Sequence, residues 1–477
     1  MYSSLILLPF FGVIVLNLPF RALMKKCAFW LCLSIVLFQI CLILFPQICC
    51  FSDKLDALGS FFKFDFAVDS LSRVMLFCIG IVLFTALFVQ RNNCEDEDKI
   101  FNFANVSLLI LCGMNGVVMV KDIFSLYVFL EITAVSSFIL IAFNKESVAF
   151  EGAFKYIILS AVATVLMLAA IALFLVISGD TGFSAISSAL KVSQGRFFIG
   201  FAVGIFLCAC FIKSGLVPFH GWVPDAYSSA PASVSVLLAG VVTKTVGIYT
   251  LIRIVNSIFG FGDPIKHLLL AVGAISIVVG ALAALGQKDI KRMLAYSSIS
   301  QVGYIVIGLG TGTALGLTGA IFHLFNHSIF KSLLFVNSAA VESETGTRDM
   351  DKLSGLAKKM PLTGITSILG SLSCAGIPPL AGFWSKLIII IALWVSGFRG
   401  YAIIAVLASV LTLAYFLSWQ RSVFFGILKE DLANVKEAGF GLVFPALILA
   451  VIIVGVGIFF PLFINSFALP IENILGG

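Results

Sequence analysis

The chain has 477 residues, of which 60% are hydrophobic and 11% charged, and a net charge of +6. A soluble domain carries about 25% charged residues, and a mean hydropathy of +1.13 leaves no room for a sizeable water-soluble domain. These values exclude a nucleic-acid-binding module, because the surplus of basic residues reads as loop topology, and they exclude a barrel of short alternating strands. What remains is an all-α polytopic membrane protein.

Apolar runs long enough to cross a bilayer fall at 3–20, 27–50, 67–90, 101–120, 122–143, 151–178, 197–217, 231–255, 265–286, 290–310, 313–342, 361–393, 400–426 and 441–466, which predicts fourteen transmembrane helices. The first run lacks a basic leader and a cleavage site, so it reads as a helix. Placing both termini outside puts sixteen of the 30 basic residues in inward loops, Lys288, Lys291, Arg292 and Arg348 among them. The outward loops receive Lys54, Lys63, Lys121, Lys191, Arg196, Lys266 and Arg399, so the asymmetry has the positive-inside sense.

The eleven cysteines give no framework. Most stand singly in apolar runs, as do Cys32, Cys78, Cys112 and Cys374, and Cys49 and Cys50 are adjacent. They read as small packing residues. An iron–sulfur centre needs a set of four, so neither a cofactor nor electron transfer is expected of this chain.

Seven basic residues fall inside spans or at their edges: Arg73, Lys155, Lys213, Lys244, Arg253, Lys331 and Lys386. Three have a simple structural reading. Arg73 follows Asp69 and Lys155 follows Glu151 at i+4, and Arg253 is placed to snorkel from its span end. The others are costly in lipid and must face the bundle interior, water or a partner. Lys244 lies in "VSVLLAGVVTKTVGIYTLI", and Glu131 in "FSLYVFLEITAVSSFILIAF" has no basic residue within a turn. Lys213 precedes "SGLVPFHGW" and Lys386 follows "AGIPPLAGFWS". One acid and several lysines inside spans fit an ion path or, alternatively, a static network that fixes packing.

Lys213 and Lys386 both border Gly/Pro interruptions, in the seventh and twelfth spans. Interrupted helices beside charges, recurring at corresponding places, are the signature of a transport site built from inverted repeats. Five spans separate the two, and an odd offset reverses direction. Spans four to eight (101–255) and nine to thirteen (265–426) are therefore expected to be inverted copies, flanked by 1–100 and 427–477. In the eleventh span, "GAIFHLFNHSIFKSLLF" places His323, His327 and Lys331 on one helix face. They read as proton carriers near neutral pH or as packing histidines. A zinc site would need a third ligand, which the sequence does not supply, so no metal is expected. "YSSISQVGY" (296–304) offers a polar face for water.

The stretches "FIKSGLVPFHGWVPDAYSSAPASVSVLLAGVVTK", "MLAYSSISQVGYIVIGLG", "FHLFNHSIFKSLLF" and "GIPPLAGFWSK" resemble the antiporter-like subunits of respiratory complex I, a family that includes Mrp cation/proton antiporter subunits and subunits of membrane-bound hydrogenases. The resemblance runs from about 65 to 425. It implies that Glu131 and Lys213 form the family's glutamate–lysine pair and that Lys244 relays toward the centre. It also implies that His323 and His327 are the central histidines, with Lys331 on their face, and that Lys386 is the terminal lysine. The chain stops soon after the fourteenth span, so the resemblance is to the shorter members, of the M/N type or the Mrp D type, without a long lateral helix. "VESETGTRDMDKLSGLAKKMP" lies closer to the hydrogenase and Mrp branch.

The expected function is therefore an ion-translocating subunit of the inner membrane, moving protons alone or exchanging Na⁺ for H⁺. Other membrane subunits and lipid are its expected partners, and nucleic acid is not. A stand-alone transporter of an organic solute and a non-transporting structural subunit remain as alternatives.

Overall fold

The computed structural model describes residues 2–45, 66–192 and 195–464. Lys54, Lys63, Cys49, Cys50, the end of the second expected span and the last residues of the fourteenth lie outside them. Among the described residues the fold is helical, with β-pairing reduced to three isolated bridges.

In chain order the helices are α1 (Ser4–Leu16), α2 (Arg21–Leu44), α3 (Ser70–Asn93), α4 (Glu97–Met119), α5 (Ile123–Ile141) and α6 (Ser147–Ser178). There follow α7 (Phe183–Val192), α8 (Arg196–Ser214), α9 (Trp222–Ser229), α10 (Ala232–Phe259), α11 (Asp263–Leu285) and α12 (Ile290–Gly310). The series closes with α13 (Ala314–Thr345), α14 (Pro361–Ala375), α15 (Ala381–Val395), α16 (Arg399–Trp419) and α17 (Phe440–Ile458).

The sparse acids sit where helices start. Asp69, Asp96, Asp122 and Asp289 each accept a hydrogen bond from a backbone N–H of the first turn of α3, α4, α5 and α12. Such caps satisfy amides that have no partner inside the helix. Glycines in the left-handed region end α6, α8, α13 and α14, because they tolerate that conformation without a Cβ clash.

Twelve stretches among the described residues are long and apolar enough to cross a membrane. Ser4–Leu16, Phe183–Val192, Pro361–Ala375 and Ala381–Val395 are apolar but shorter. The expected twelfth span is thus two short helices flanking an irregular turn at Gly376–Leu380. The seventh is broken in the same way: α8 ends at Ser214 and the chain turns through Leu216–Pro218 before α9.

The chain forms two compact units. The first comprises Met1–Leu87, Cys94–Gly215 and Val241–Gly262. Within it α4 packs on α1, α2 and α5, while α6 packs on α8. Its core holds a buried amide pair, Gln39 and Asn115, in which Nδ2 of Asn115 donates to Gln39 Oε1 at 2.7 Å and to Leu5 O at 2.8 Å. Part of α10 belongs here and carries π-helical turns at Lys244–Tyr249 and Val255–Phe259, a local widening frequent at functional sites.

The second unit comprises Phe88–Asn93, Leu216–Gly240 and Asp263–Gly477. Its axis is α13, buried along its whole apolar length and packed by α12, α14, α15 and α17. α11 lies tightly along α12. By contrast, α6 and α16 leave rows of large apolar side chains exposed, such as Phe154, Val165, Leu407 and Val410, as a lipid- or subunit-facing helix requires.

The closest approach of a glycine to another helix's backbone in the first unit is at Gly247, where an added Cβ would lie 2.6 Å from Ser214 Cα and 2.7 Å from its N. Backbone cannot yield there as a flexible side chain would. Gly247→Val is expected to cost about 1–3 kcal/mol through overpacking, read as a lower melting temperature of the purified protein in detergent.

Candidate functional site

In the first unit the helices α5, α6 and α8 bring Glu131, Thr164 and Lys213 together. Lys213 Nζ donates to Glu131 Oε1 at 3.1 Å, and Thr164 Oγ1 donates to the same oxygen at 2.7 Å. The lysine side chain is 3% exposed and the carboxylate 29%, so the acid is the more exposed member, on a face of α5 that also shows Val128 and Val135. Glu131 therefore has the basic partner that its own helix does not supply. Lys213 occupies the last turn of α8, immediately before the left-handed Gly215, so the break sets where its ammonium emerges.

Lys244 opens a π-helical turn, is fully buried, and its Nζ donates to Thr243 Oγ1 at 3.3 Å. Two other charges in this unit depart from the sequence expectation. Arg253 does not snorkel: it forks onto Asp69, with Nη2 at 2.9 Å from Oδ1, and also bonds Ser72 and Tyr249. Arg73, expected to pair with Asp69, is exposed. The guanidinium matches both carboxylate oxygens at once; Arg73 has the same group but is exposed, whereas Arg253 is also held by Ser72 and Tyr249. Lys155 pairs with Glu151 at 2.7 Å as the spacing predicts.

In the second unit, α13 carries His323, His327 and Lys331, all fully buried. The two imidazoles are parallel to within 4°, with ring centroids 6.3 Å apart. His323 Nδ1 lies 2.9 Å from Ser385 Oγ, whose hydroxyl donates to Gly382 O at 3.1 Å. The contact orients the imidazole ring, and Nε2 makes no hydrogen bond to protein among the described residues.

Lys331 donates to Leu294 O at 3.1 Å and to Ser297 Oγ at 2.7 Å, and Ser297 is joined to Tyr415 at 2.7 Å. Lys386 lies on α15 with Nζ 4.4 Å from the centre of the Tyr304 ring, a cation–π geometry. Its aliphatic stem fills the space beside Gly376, whose φ is +86° and where an added Cβ would lie 3.0 Å from Lys386 Cδ. The glycine at the break thus serves both the turn and the lysine.

Among the described residues, the buried atoms Gln301 Nε2 and Oε1, Ser300 Oγ, His323 Nε2 and Lys386 Nζ make no hydrogen bond to protein. Buried polar atoms in such a cluster call for ordered water, and two of the residues belong to the "YSSISQVGY" face of α12. The sequence did not reveal Thr164, Ser385 or Tyr415 as partners; Ser385 stands next to Lys386, and that adjacency was the available signal. Lys291, counted as an inward-loop residue, is instead buried in the first turn of α12.

The model of the NADH:quinone oxidoreductase/Mrp antiporter transmembrane family matches residues 120–412. The chain belongs to this family. It is 32% identical over 390 residues to the D subunit of the Na(+)/H(+) antiporter of Alkalihalophilus pseudofirmus, covering 81% of this chain and 79% of that protein. It is 31% identical over 395 residues to NADH-quinone oxidoreductase subunit N of Desulforudis audaxviator, covering 81% and 78%. The fold is that of a chain in the Mrp complex from Dietzia sp. DQ12-45-1b, with a TM-score of 0.88 at 23% identity, over 99% of this chain and 97% of that one. All-α architecture and membership of the antiporter-like subunits, both expected from the sequence, are borne out.

The Arg253–Asp69 fork separates structural from mobile charge. Arg253→Met strands a carboxylate whose side chain is 35% exposed, so a loss of about 2–3 kcal/mol is expected, below the about 3–5 kcal/mol of a fully buried pair. Arg73→Met is expected to stay within about 0.5 kcal/mol of the parent. Thermal unfolding of the two purified variants, compared in one detergent, checks both.

Proposed function

We propose that the chain is an ion-translocating, non-redox membrane subunit of a multisubunit complex of the NADH-quinone oxidoreductase, membrane-bound hydrogenase or Mrp type, set in the inner membrane with both termini outside. Protons move along Glu131, Lys213 and Lys244 in the first unit, and along His323, His327, Lys331 and Lys386 in the second. In an Mrp-type assembly, Na⁺ would be the exchanged ion. The observation that carries this reading is that Lys331 and Lys386 are buried deep in an apolar bundle against neutral oxygens and an aromatic face. A carboxylate would lock each as an ammonium. Neutral acceptors keep amine and ammonium closer in free energy, and a lysine, unlike an arginine, can then give up its proton.

The first unit would act as the gate. While Glu131 and Lys213 stay paired, the ammonium is held. Separation or protonation of the more exposed carboxylate frees it to donate onward. Two five-span inverted repeats, over 101–255 and 265–426, belong to this proposal, as does a total of fourteen spans. The interrupted pair α14–α15 and the short α1 would supply the remaining crossings. Relatives named as subunits favour a chain that works within an assembly over a stand-alone solute carrier.

Lys213→Ala and Lys386→Ala are each expected to abolish proton translocation in inverted vesicles containing the assembled complex, and wild-type pumping by both would end the proposal. Lys244 gives a sharper comparison. Arginine keeps the charge but cannot deprotonate, its pKa being above about 12. Both Lys244→Arg and Lys244→Met should therefore stop translocation while the subunit still inserts. A packing role would instead let arginine pass.

A further inference from the structure

Lys331 is not the end of the polar stripe on α13. Ser338 and Glu342 follow it at i+7 and i+11, within about 20° of the same face. Ser338 is fully buried, and its hydroxyl makes no hydrogen bond to protein among the described residues. Glu342 lies near the loop end of the helix with its side chain 36% exposed, and its Oε2 is 3.0 Å from Lys291 Nζ. Lys291, in the first turn of α12, is 4% exposed. Three residues further along α12, about 4.5 Å in rise, is Leu294, whose carbonyl accepts from Lys331. On α12 the pair is thus anchored about one turn before Leu294, while on α13 Glu342 stands eleven residues, about 16 Å in rise, beyond Lys331, a gap that Ser338 divides.

Exposure falls stepwise along this line, from Glu342 through Lys291 and Ser338 to Lys331. Holding the loops together does not require it. Arg348 already ties them, through Asp289 at 3.2 Å and Ser228 O at 2.6 Å, and it approaches Glu342 only at 3.6 Å. Burying Lys291 against a half-exposed acid adds cost to that staple unless the pair has work to do.

We propose that Glu342 and Lys291 form the proton port of the second unit, at the loop end of α12 and α13, feeding Lys331 past Ser338. The Glu342 carboxylate takes a proton from hydronium in the bulk, leaving water. The same proton passes over intervening water to the Lys331 amine, regenerating the carboxylate and forming the ammonium. Lys291 is a positioning residue: it fixes the carboxylate at the mouth. This inference rests on the proton-translocating reading above.

The test uses the whole complex in inverted vesicles, with subunit content followed by blotting. Glu342→Gln preserves shape but carries no proton. It is expected to slow proton movement about tenfold or more at unchanged subunit content, with Glu342→Asp restoring most of the rate. Added formate, a small weak acid, should speed the Gln variant several-fold and leave the wild type unchanged. Wild-type transport by Glu342→Gln overturns the port, and so does a slow Gln variant that neither Asp nor formate restores. If Glu342→Gln does not accumulate, Ser338→Ala decides: slowed transport supports the port and wild-type transport overturns it. Lys213→Ala, run alongside, separates the two levels. Normal transport by it and by Lys386→Ala together would sink the translocation reading itself, whereas its failure beside a normal Glu342→Gln would sink the port alone.

Discussion

An ammonium inside an apolar helix bundle must find an acceptor or give up its proton, and the local structure around each buried lysine follows from that requirement. Helices offer few backbone acceptors along their length, because interior carbonyls are already bonded within the helix. Most acceptors come from side chains of neighbouring helices or from places where a helix stops. Lys213 lies in the last turn of α8 and meets Glu131 from α5. Lys386 lies just after the turn at Gly376–Leu380, with its stem against Gly376. The breaks in these two helices belong to the lysine sites.

The two units meet the same requirement differently. The first gives Lys213 a carboxylate, buttressed by Thr164. The second gives Lys331 a carbonyl and a serine hydroxyl, and gives Lys386 the face of Tyr304. In the proposed ion path the carboxylate pair would switch, and the sites with neutral partners would pass the proton on. Arg253 shows the contrast. Its fork onto Asp69, closed further by Ser72 and Tyr249, leaves no group free to exchange and serves the packing of the first unit alone.

Much of this was legible in the sequence because membranes make charge informative. Hydropathy located the helices to within a few residues, and a helical repeat put His323, His327 and Lys331 on one face. What the sequence hid was pairing across helices. Asp69 stands four residues before Arg73, and spacing alone favours that pair. The fork geometry of Arg253, distant in sequence, outcompetes it. Likewise Lys291, at the edge of the expected span 290–310, reads with the inward loops, and only the structure shows it buried against Glu342 from α13. Local spacing predicts only contacts within one helix, and each of these depends on tertiary geometry.

The partners of the second unit also explain why polar residues of low individual interest recur there. Ser385 lies between His323 Nδ1 and Gly382 O. Ser297 joins Lys331 to Tyr415. Neither carries charge, so neither adds the insertion cost of a further ionisable group, yet each sets the direction in which a hydrogen bond points. Direction matters because a proton follows a donor–acceptor chain only if each link has a lone pair facing the incoming proton. With Nδ1 engaged by Ser385, Nε2 is the ring nitrogen left without a hydrogen bond to protein among the described residues. In the proposed path, net movement would require the ring to turn, or water to bring and remove the proton. The unsatisfied amide of Gln301 and hydroxyl of Ser300 on α12 are the groups suited to hold that water. In the proposed path, the serines would orient each carrier, and water at these groups would supply the reorientation that buried side chains cannot.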